Sequence, residues 1–334
     1  MNKKPFKSIV LYLGSNFWAQ KDATFPLDPE EFIYRDKLFC DKTTWDAVVK
    51  KLPEFKIDTL VIALGEGVVY PSHPEIAIEG SWKTEDFKNE LKKIRDMGIR
   101  VIPYNNFLPY HNAWMGKYCY MAGTPAYYDF CRDIVRDVID MFDTPEMFHL
   151  GLGSEGYNSK YYTSDSHNFT VLFARHIMCE YANMLFDVCR EKGVRPWIWA
   201  DRKSIDGFGG DEYFKAHIGR DVLLSASFNE NPIGMFIKDG KTFVGDSVSP
   251  EALHYNKLSE WGYTQIPAIT RRIHPASPQT VMEYTSLTCN NIDGFIMQTL
   301  ALTVPRKYYA VMNSVQNLSV SYENAFGEGG TLNG

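Results

Sequence analysis

Residues 96–104 read DMGIRVIPY: the end of a helix-like segment, one glycine and then a short apolar run. The same order returns in EKGVRPWIW (191–199), HIGRDVLL (217–224) and EWGYTQIPAI (260–269). Because a left-handed glycine commonly ends a helix, Gly98, Gly193, Gly219 and Gly262 are expected to separate helices from the strands that follow them. The repetition predicts a chain that alternates helix and strand.

Short runs that are apolar on both faces support this alternation, because parallel strands covered by helices have that composition. We predict helices at 43–52, 84–97, 126–142 and 169–192, with apolar residues at helical spacing. The predicted strands are 8–14, 59–64, 100–104, 148–152, 197–200, 222–226, 266–270 and 294–298.

Strands in this number, alternating with helices, predict an α/β fold of the (β/α)8 TIM barrel type. A doubly wound open sheet is the alternative, and it is disfavoured because no GxGxxG motif or P-loop follows the first strand. Loop insertions are predicted at the C-terminal face of the barrel, at 18–41, 107–124 and 229–249, the last with a hairpin at Asp239-Gly240. We expect one barrel domain over 1–323 and a flexible tail over 324–334.

The composition limits the classes of function. The chain has 334 residues, 45% of them hydrophobic, and a net charge of −6. A mildly acidic chain without basic runs argues against nucleic-acid binding, and no stretch is long and apolar enough to span a membrane. With no leader in the chain as given, a cytoplasmic protein is expected, or a periplasmic or secreted one if a leader was removed. Oligomeric state is left open.

Cysteine and histidine spacing gives no sign of a metal or another cofactor. The six cysteines lack CxxC-like spacing, so free core thiols are favoured over disulfides or metal ligands. His111, His149 and His167 are not joined by HxH or HExxH spacing. His149, within a predicted strand, is interpreted as a core histidine whose hydrogen bonds are satisfied.

In a barrel the active site lies at the carboxyl ends of the strands. Carboxylates, amides, aromatic residues and an arginine pair follow the predicted strands, a mixture that suits a carbohydrate because sugar hydroxyls bind polar groups and sugar rings stack on aromatic faces. Glu155, in FHLGLGSEGY (148–157), is the candidate general acid, and the glycines around it would allow tight turns and close approach of substrate. Asp201 and Glu66 are the candidates for the second carboxylate. The substrate-binding candidates are Trp18, Glu66, Asn105, His111, Tyr157, Trp199 and Arg271.

FHLGLGSEGY resembles the strand-4 signature of the family 20 β-N-acetylhexosaminidases, a His-Ile-Gly-Gly-Asp-Glu run that ends in the acid/base glutamate. RPWIWADR (195–202) is similar to the Trp-bearing fifth strand of such enzymes. The resemblance implies a glycoside hydrolase barrel with Glu155 as the acid. The family's aspartate, which stabilises the substrate's 2-acetamido group, is replaced by Ser154, and His149 is one position farther from the glutamate than in the family. A non-catalytic carbohydrate-binding barrel, and a lyase or epimerase that uses Arg271 and Arg272 on an acidic sugar, therefore stay open.

Overall fold

The computed structural model describes residues 4–17, 34–108, 113–153, 173–228, 235–238, 241–244, 250–270 and 277–327. Its centre is a parallel sheet that closes into a barrel. The strands are β1 Phe6–Tyr12, β2 Thr59–Ala63, β3 Arg100–Tyr104, β4 Met147–His149, β5 Arg195–Trp199, β6 Leu223–Ser225, β7 Ser227–Phe228, β8 Met235–Lys238, β9 Lys241–Val244, β10 Ala268–Thr270 and β11 Gly294–Gln298.

Closure of the barrel depends on its sixth strand position, which is filled by two short strands, β6 and β7, separated by Ala226. Its first half, β6, pairs with β5, and its second half, β7, pairs with β10. On the other side β1 pairs in parallel with both β2 and β11. Eight positions are therefore filled, which confirms the predicted (β/α)8 TIM barrel.

Helices surround the barrel and cover its outer face. Their bounds are α1 Lys42–Lys51, α2 Thr84–Asp96, α3 Pro125–Met141, α4 Arg175–Glu191, α5 Arg202–Gly207, α6 Asp211–His217, α7 Pro250–Glu260, α8 Ser277–Thr288 and α9 Tyr308–Phe326. Since α9 runs to Phe326, the division into a domain and a tail near 323 stays a prediction.

Three of the four predicted helix-ending glycines are left-handed: Gly98 (φ 78°), Gly193 (φ 73°) and Gly262 (φ 82°). The prediction for Gly219 is wrong, because α6 ends at His217 and Ile218 is already extended (φ −103°, ψ 120°). A Cβ at 219 would lie 2.3 Å from Asp221 Oδ1, the end of a side chain that can turn aside.

The apolar side chains divide into two layers because alternate strand residues point to opposite faces. Ile9 and Leu11 of β1 pack outward against the helices, whereas Val10 and Tyr12 point into the barrel. The inner layer also holds Tyr104, Trp197 and Trp199. The barrel is thus filled by side chains, with aromatic residues toward the carboxyl ends of β3 and β5.

The predicted hairpin is confirmed. β8 and β9 form an antiparallel hairpin in which Lys238 is opposite Lys241, while Asp239 and Gly240 themselves lie outside the described residues. Four of the six free cysteines, Cys119, Cys131, Cys179 and Cys189, are buried, whereas Cys40 and Cys289 are partly exposed. In the parts of the chain that the structure describes, no helix has the length and apolar character needed to cross a bilayer.

Candidate active site at the barrel mouth

Four rings cluster inside the barrel where β3, β4 and β5 end. The ring centroid of His149 lies 4.7 Å from that of Tyr104, 4.5 Å from Trp197 and 4.4 Å from Trp199. Trp199 Nε1 donates to Tyr104 Oη at 3.4 Å, and the two residues are 5% and 7% exposed. The predicted platform Trp199 therefore belongs to a packed aromatic group at the mouth of the barrel.

His149 is fully buried, and only one of its ring nitrogens has a hydrogen-bond partner among the described residues. Its Nδ1 accepts the backbone N–H of Gly151 at 3.1 Å, which assigns the ring proton to Nε2. Nε2 has no such partner within these residues. Burial lowers the pKa of His149 well below its usual value, so the imidazole is neutral. The interpretation as a fully satisfied core histidine is therefore wrong for Nε2.

Beyond His149 the chain leaves β4 through two consecutive left-handed residues, Gly151 (φ 71°) and Leu152 (φ 60°). A Cβ at Gly151 would lie 2.4 Å from Asn106 Oδ1, and one at Gly153 would lie 2.7 Å from Trp199 Cβ. These two glycines of the strand-4 motif thus leave room for Asn106, just after β3, and for Trp199 of β5.

Glu66 follows β2 and is 1% exposed. Its Oε1 accepts the backbone N–H of Ser15 at 2.7 Å, and its Oε2 accepts that of Asn16 at 3.0 Å. Burial raises the pKa of Glu66, and the two backbone donors act in the opposite direction. Both oxygens of this carboxylate are directed at the segment after β1.

Asn16 continues the contact made by Glu66. Its side-chain Nδ2 donates to Arg35 O at 2.9 Å, and its Oδ1 accepts the Arg35 N–H at 2.9 Å. Its carbonyl oxygen accepts the N–H of Trp114 at 2.8 Å. Segments that follow β1, β2 and β3 are therefore joined at one buried asparagine.

Asn105, a predicted substrate-binding residue, is 1% exposed. Its Oδ1 accepts the N–H of Gly65 at 2.9 Å, and its Nδ2 donates to Tyr70 Oη at 3.0 Å. Tyr70 Oη in turn donates to Gly65 O at 2.6 Å. The amide of Asn105 thus fixes the turn after β2.

Asp201 lies directly before α5 and is partly buried. Its Oδ1 accepts the N–H of Ser227 at 2.5 Å, which connects the carboxyl end of β5 with β7. Of the two candidate second carboxylates, Asp201 is the one that solvent reaches.

Helix α7 supports the same region of the barrel. His254 Nε2 bonds to Ala200 O at 2.7 Å, and Tyr255 Oη donates to Ala226 O at 3.0 Å.

Several predicted site residues lie outside the described residues. They are Trp18, His111, Ser154, Glu155, Tyr157, Arg271 and Arg272. Where the structure does describe the chain, no group of three His, Cys, Asp or Glu side chains is placed to hold a metal ion.

Tyr104 and Trp197 belong to the aromatic group but were not among the predicted site residues. A period-two count from Trp199 would have found Trp197, because residues two apart in a strand share a face. Tyr104 is the last residue of β3. Its position at the end of a predicted strand is the sequence feature that could have indicated it as a site residue. No local pattern indicates that His149 would lie between them.

No protein-family model matches the chain, and no curated protein matches it in sequence. Solved structures match its fold. A GH20 exo-β-N-acetylglucosaminidase from Vibrio harveyi has a TM-score of 0.61 at 10% identity, over 95% of this chain and 54% of that one. Dispersin B has a TM-score of 0.53 at 13% identity, over 95% and 98%. A GH138 enzyme targeting pectin rhamnogalacturonan II has a TM-score of 0.55 at 13% identity, over 97% and 39%.

These matches confirm the resemblance to family 20 barrels at the level of the fold. The chain spans about half the length of the Vibrio harveyi enzyme. Identities this low are evidence for a shared architecture, and an architecture hosts many chemistries.

Proposed function

We propose that this protein is a glycoside hydrolase that cleaves an O-glycosidic bond by carboxylate acid/base catalysis. The observation that carries the proposal is the exit of β4: the strand-4 motif leaves the barrel beside the aromatic group of Tyr104, His149 and Trp199. Aromatic faces bind the C–H faces of sugar rings, and the barrel matches solved N-acetylglucosaminidase structures. The substrate class is an oligo- or polysaccharide.

Glu155 is assigned as the general acid. It comes two residues after Gly153, whose backbone packs against Trp199. Asp201 is assigned as the second carboxylate in preference to Glu66, because Glu66 is 1% exposed with both oxygens on backbone donors. Glycosidases generally use such a pair of carboxylates on either side of the scissile bond.

The remaining substrate-binding candidates keep their predicted roles, with one exception. Trp199 contributes to the sugar platform, together with Trp18 and Tyr157, and His111 and Arg271 are assigned to polar groups of the substrate. Asn105 is assigned to anchoring the turn after β2, since its amide is already bonded to Gly65 and Tyr70.

The experiment is a screen of aryl and alkyl glycosides with the wild type, Glu155→Gln and a control, Glu79→Gln. Glu79 is 72% exposed and pairs with Lys37 on the surface, so its variant should keep wild-type rates. Glu155→Gln should lower kcat by roughly 10²–10⁴ on alkyl glycosides, the usual contribution of a positioned acid. The loss should be smaller on nitrophenyl glycosides, because a nitrophenolate leaves without protonation.

Equal kcat for Glu155→Gln and the wild type on alkyl glycosides would remove Glu155 from the mechanism. If the wild type turns over no glycoside but binds oligosaccharides by calorimetry, the barrel is a carbohydrate-binding protein. Asp201→Asn keeps an acceptor for the Ser227 N–H, but it removes the charge and replaces the second oxygen by an NH2 donor. A loss of kcat in this variant therefore supports a role for the carboxylate.

A further inference from the structure

The backbone between His149 and Leu152 is held from both sides by the neighbouring strands. His149 O accepts the Asn105 N–H at 3.1 Å and Leu150 O accepts the Phe107 N–H at 3.1 Å. On the β5 side, the Leu150 N–H donates to Trp197 O at 2.7 Å and Gly151 O accepts the Trp199 N–H at 2.9 Å. This segment keeps strand-like contacts beyond the last residue of β4.

The N–H groups of Gly151 and Leu152 are the exceptions. Both residues are left-handed (φ 71° and 60°), so these donors do not bond to a backbone carbonyl of β3 or β5. The Gly151 N–H donates to His149 Nδ1 at 3.1 Å, and the Leu152 N–H donates to Asn106 Oδ1 at 3.3 Å. Because the segment is buried, losing either acceptor would leave an unsatisfied donor.

A histidine at this place in the barrel costs free energy, because one of its polar groups is buried without a partner in the described part of the chain. Its Nε2–H has no hydrogen-bond partner among the described residues, and the ring is surrounded by Tyr104, Trp197 and Trp199. An apolar side chain would fill the same aromatic surroundings without a buried, unpaired donor. What the imidazole adds is the Nδ1 acceptor, which is present only while the ring is neutral.

We infer that His149 is a positioning residue for catalysis: its neutral Nδ1, with Asn106 Oδ1, fixes the left-handed turn at 151–152 that precedes Glu155. The inference rests on the proposed glycoside hydrolysis. His149 acts through the backbone of Gly151 and takes no part in proton transfer to substrate.

The test compares His149→Asn, His149→Leu and Ile134→Ala. The Oδ1 of asparagine can replace Nδ1 as an acceptor for the Gly151 N–H, whereas leucine cannot accept. Ile134 is fully buried in α3 and makes no hydrogen bond to the turn through its side chain, so Ile134→Ala lowers Tm without removing an acceptor from the turn. Against the glycosides above, His149→Leu should lose at least about tenfold in kcat with KM within twofold. His149→Asn should recover most of kcat, and Ile134→Ala should keep it when assayed below its Tm.

Equal loss of kcat in the asparagine and leucine variants, or equal loss in Ile134→Ala at matched Tm, would overturn the inference. Amide hydrogen exchange of Gly151 is a second readout that needs no substrate. It should quicken in His149→Leu and stay protected in His149→Asn, and unchanged protection in His149→Leu would overturn the inference. If the wild type has no glycosidase activity, the proposed function fails, while the exchange result still decides whether His149 holds the turn.

Discussion

At the scale of single residues, Glu66 shows how the surroundings decide the chemistry of a carboxylate. In the sequence it is an acid after a strand, and so a candidate for substrate contact. In the fold its two oxygens accept the N–H groups of Ser15 and Asn16. A buried carboxylate with two backbone donors is a structural anchor for the segment after β1.

Replacing Glu66 by leucine should therefore destabilise the protein. It leaves the Ser15 and Asn16 N–H groups buried without an acceptor, and each such group costs about 1–3 kcal/mol. Urea unfolding should show a loss of about 2–6 kcal/mol for the two groups together. The control Glu79→Leu removes an exposed ion pair with Lys37 and should stay within about 0.5 kcal/mol of the wild type. Equal effects of the two substitutions would contradict the anchoring role.

At the scale of elements, β4 is the strand whose observed bounds overlap least with the predicted ones. The apolar run predicts a strand over 148–152, whereas β4 is Met147–His149. The difference arises because Gly151 and Leu152 are left-handed and interrupt the ladder. Where no such interruption occurs, as in β3 and β11, the observed bounds equal the predicted 100–104 and 294–298.

Two glycines with nearly the same φ test this exit turn. Gly193, after α4, has φ 73°, and a Cβ added there would meet no atom within 4 Å, whereas Gly151 has φ 71° and a Cβ there would lie 2.4 Å from Asn106 Oδ1. Alanine at either position carries the left-handed cost of about 1–2 kcal/mol. Gly151→Ala should lose roughly 1–3 kcal/mol more, because Asn106 must move. Equal free energies of unfolding for the two variants would show that the close approach is relaxed.

At the scale of the whole molecule, closure of the barrel depends on side chains as well as on strand pairing. Trp197 Nε1 donates to Ser225 Oγ at 2.8 Å, and Ser225 Oγ donates to Ile266 O at 2.5 Å. These two bonds cross from β5 through β6 to the segment before β10, where the strands are short. The interior of the barrel therefore helps to hold its sixth position in place.

The buried histidines make the stability of the whole molecule depend on pH. Burial lowers the pKa of both His149 and His254 in the folded state. Below the unfolded value of about 6.5, the unfolded chain binds protons that the folded state does not. The free energy of unfolding should thus decrease as the pH is lowered below about 6.5. The decrease is up to about 1.4 kcal/mol per pH unit for each histidine.

Urea unfolding at pH 7.5, 6.5 and 5.5 measures this slope. His149→Asn should unfold with a shallower dependence on pH than the wild type, since one of the two groups is gone. Parallel curves for the variant and the wild type would mean that folding does not lower the pKa of His149. The carboxylates are common to both proteins, so their contribution cancels in the comparison.

The sequence by itself determined the alternation of strands and helices, the eight positions of the barrel and the residues that follow each strand. These features follow from local periodicity and from glycines at helix ends. Only the tertiary structure decided what those residues do. Glu66 bonds to Ser15, Asn105 to Gly65 and Asn106 to Leu152 across 51, 40 and 46 residues of chain. Partners so far apart meet only when the strands are side by side, which is why polar residues alike in sequence divide into anchors and candidates for chemistry.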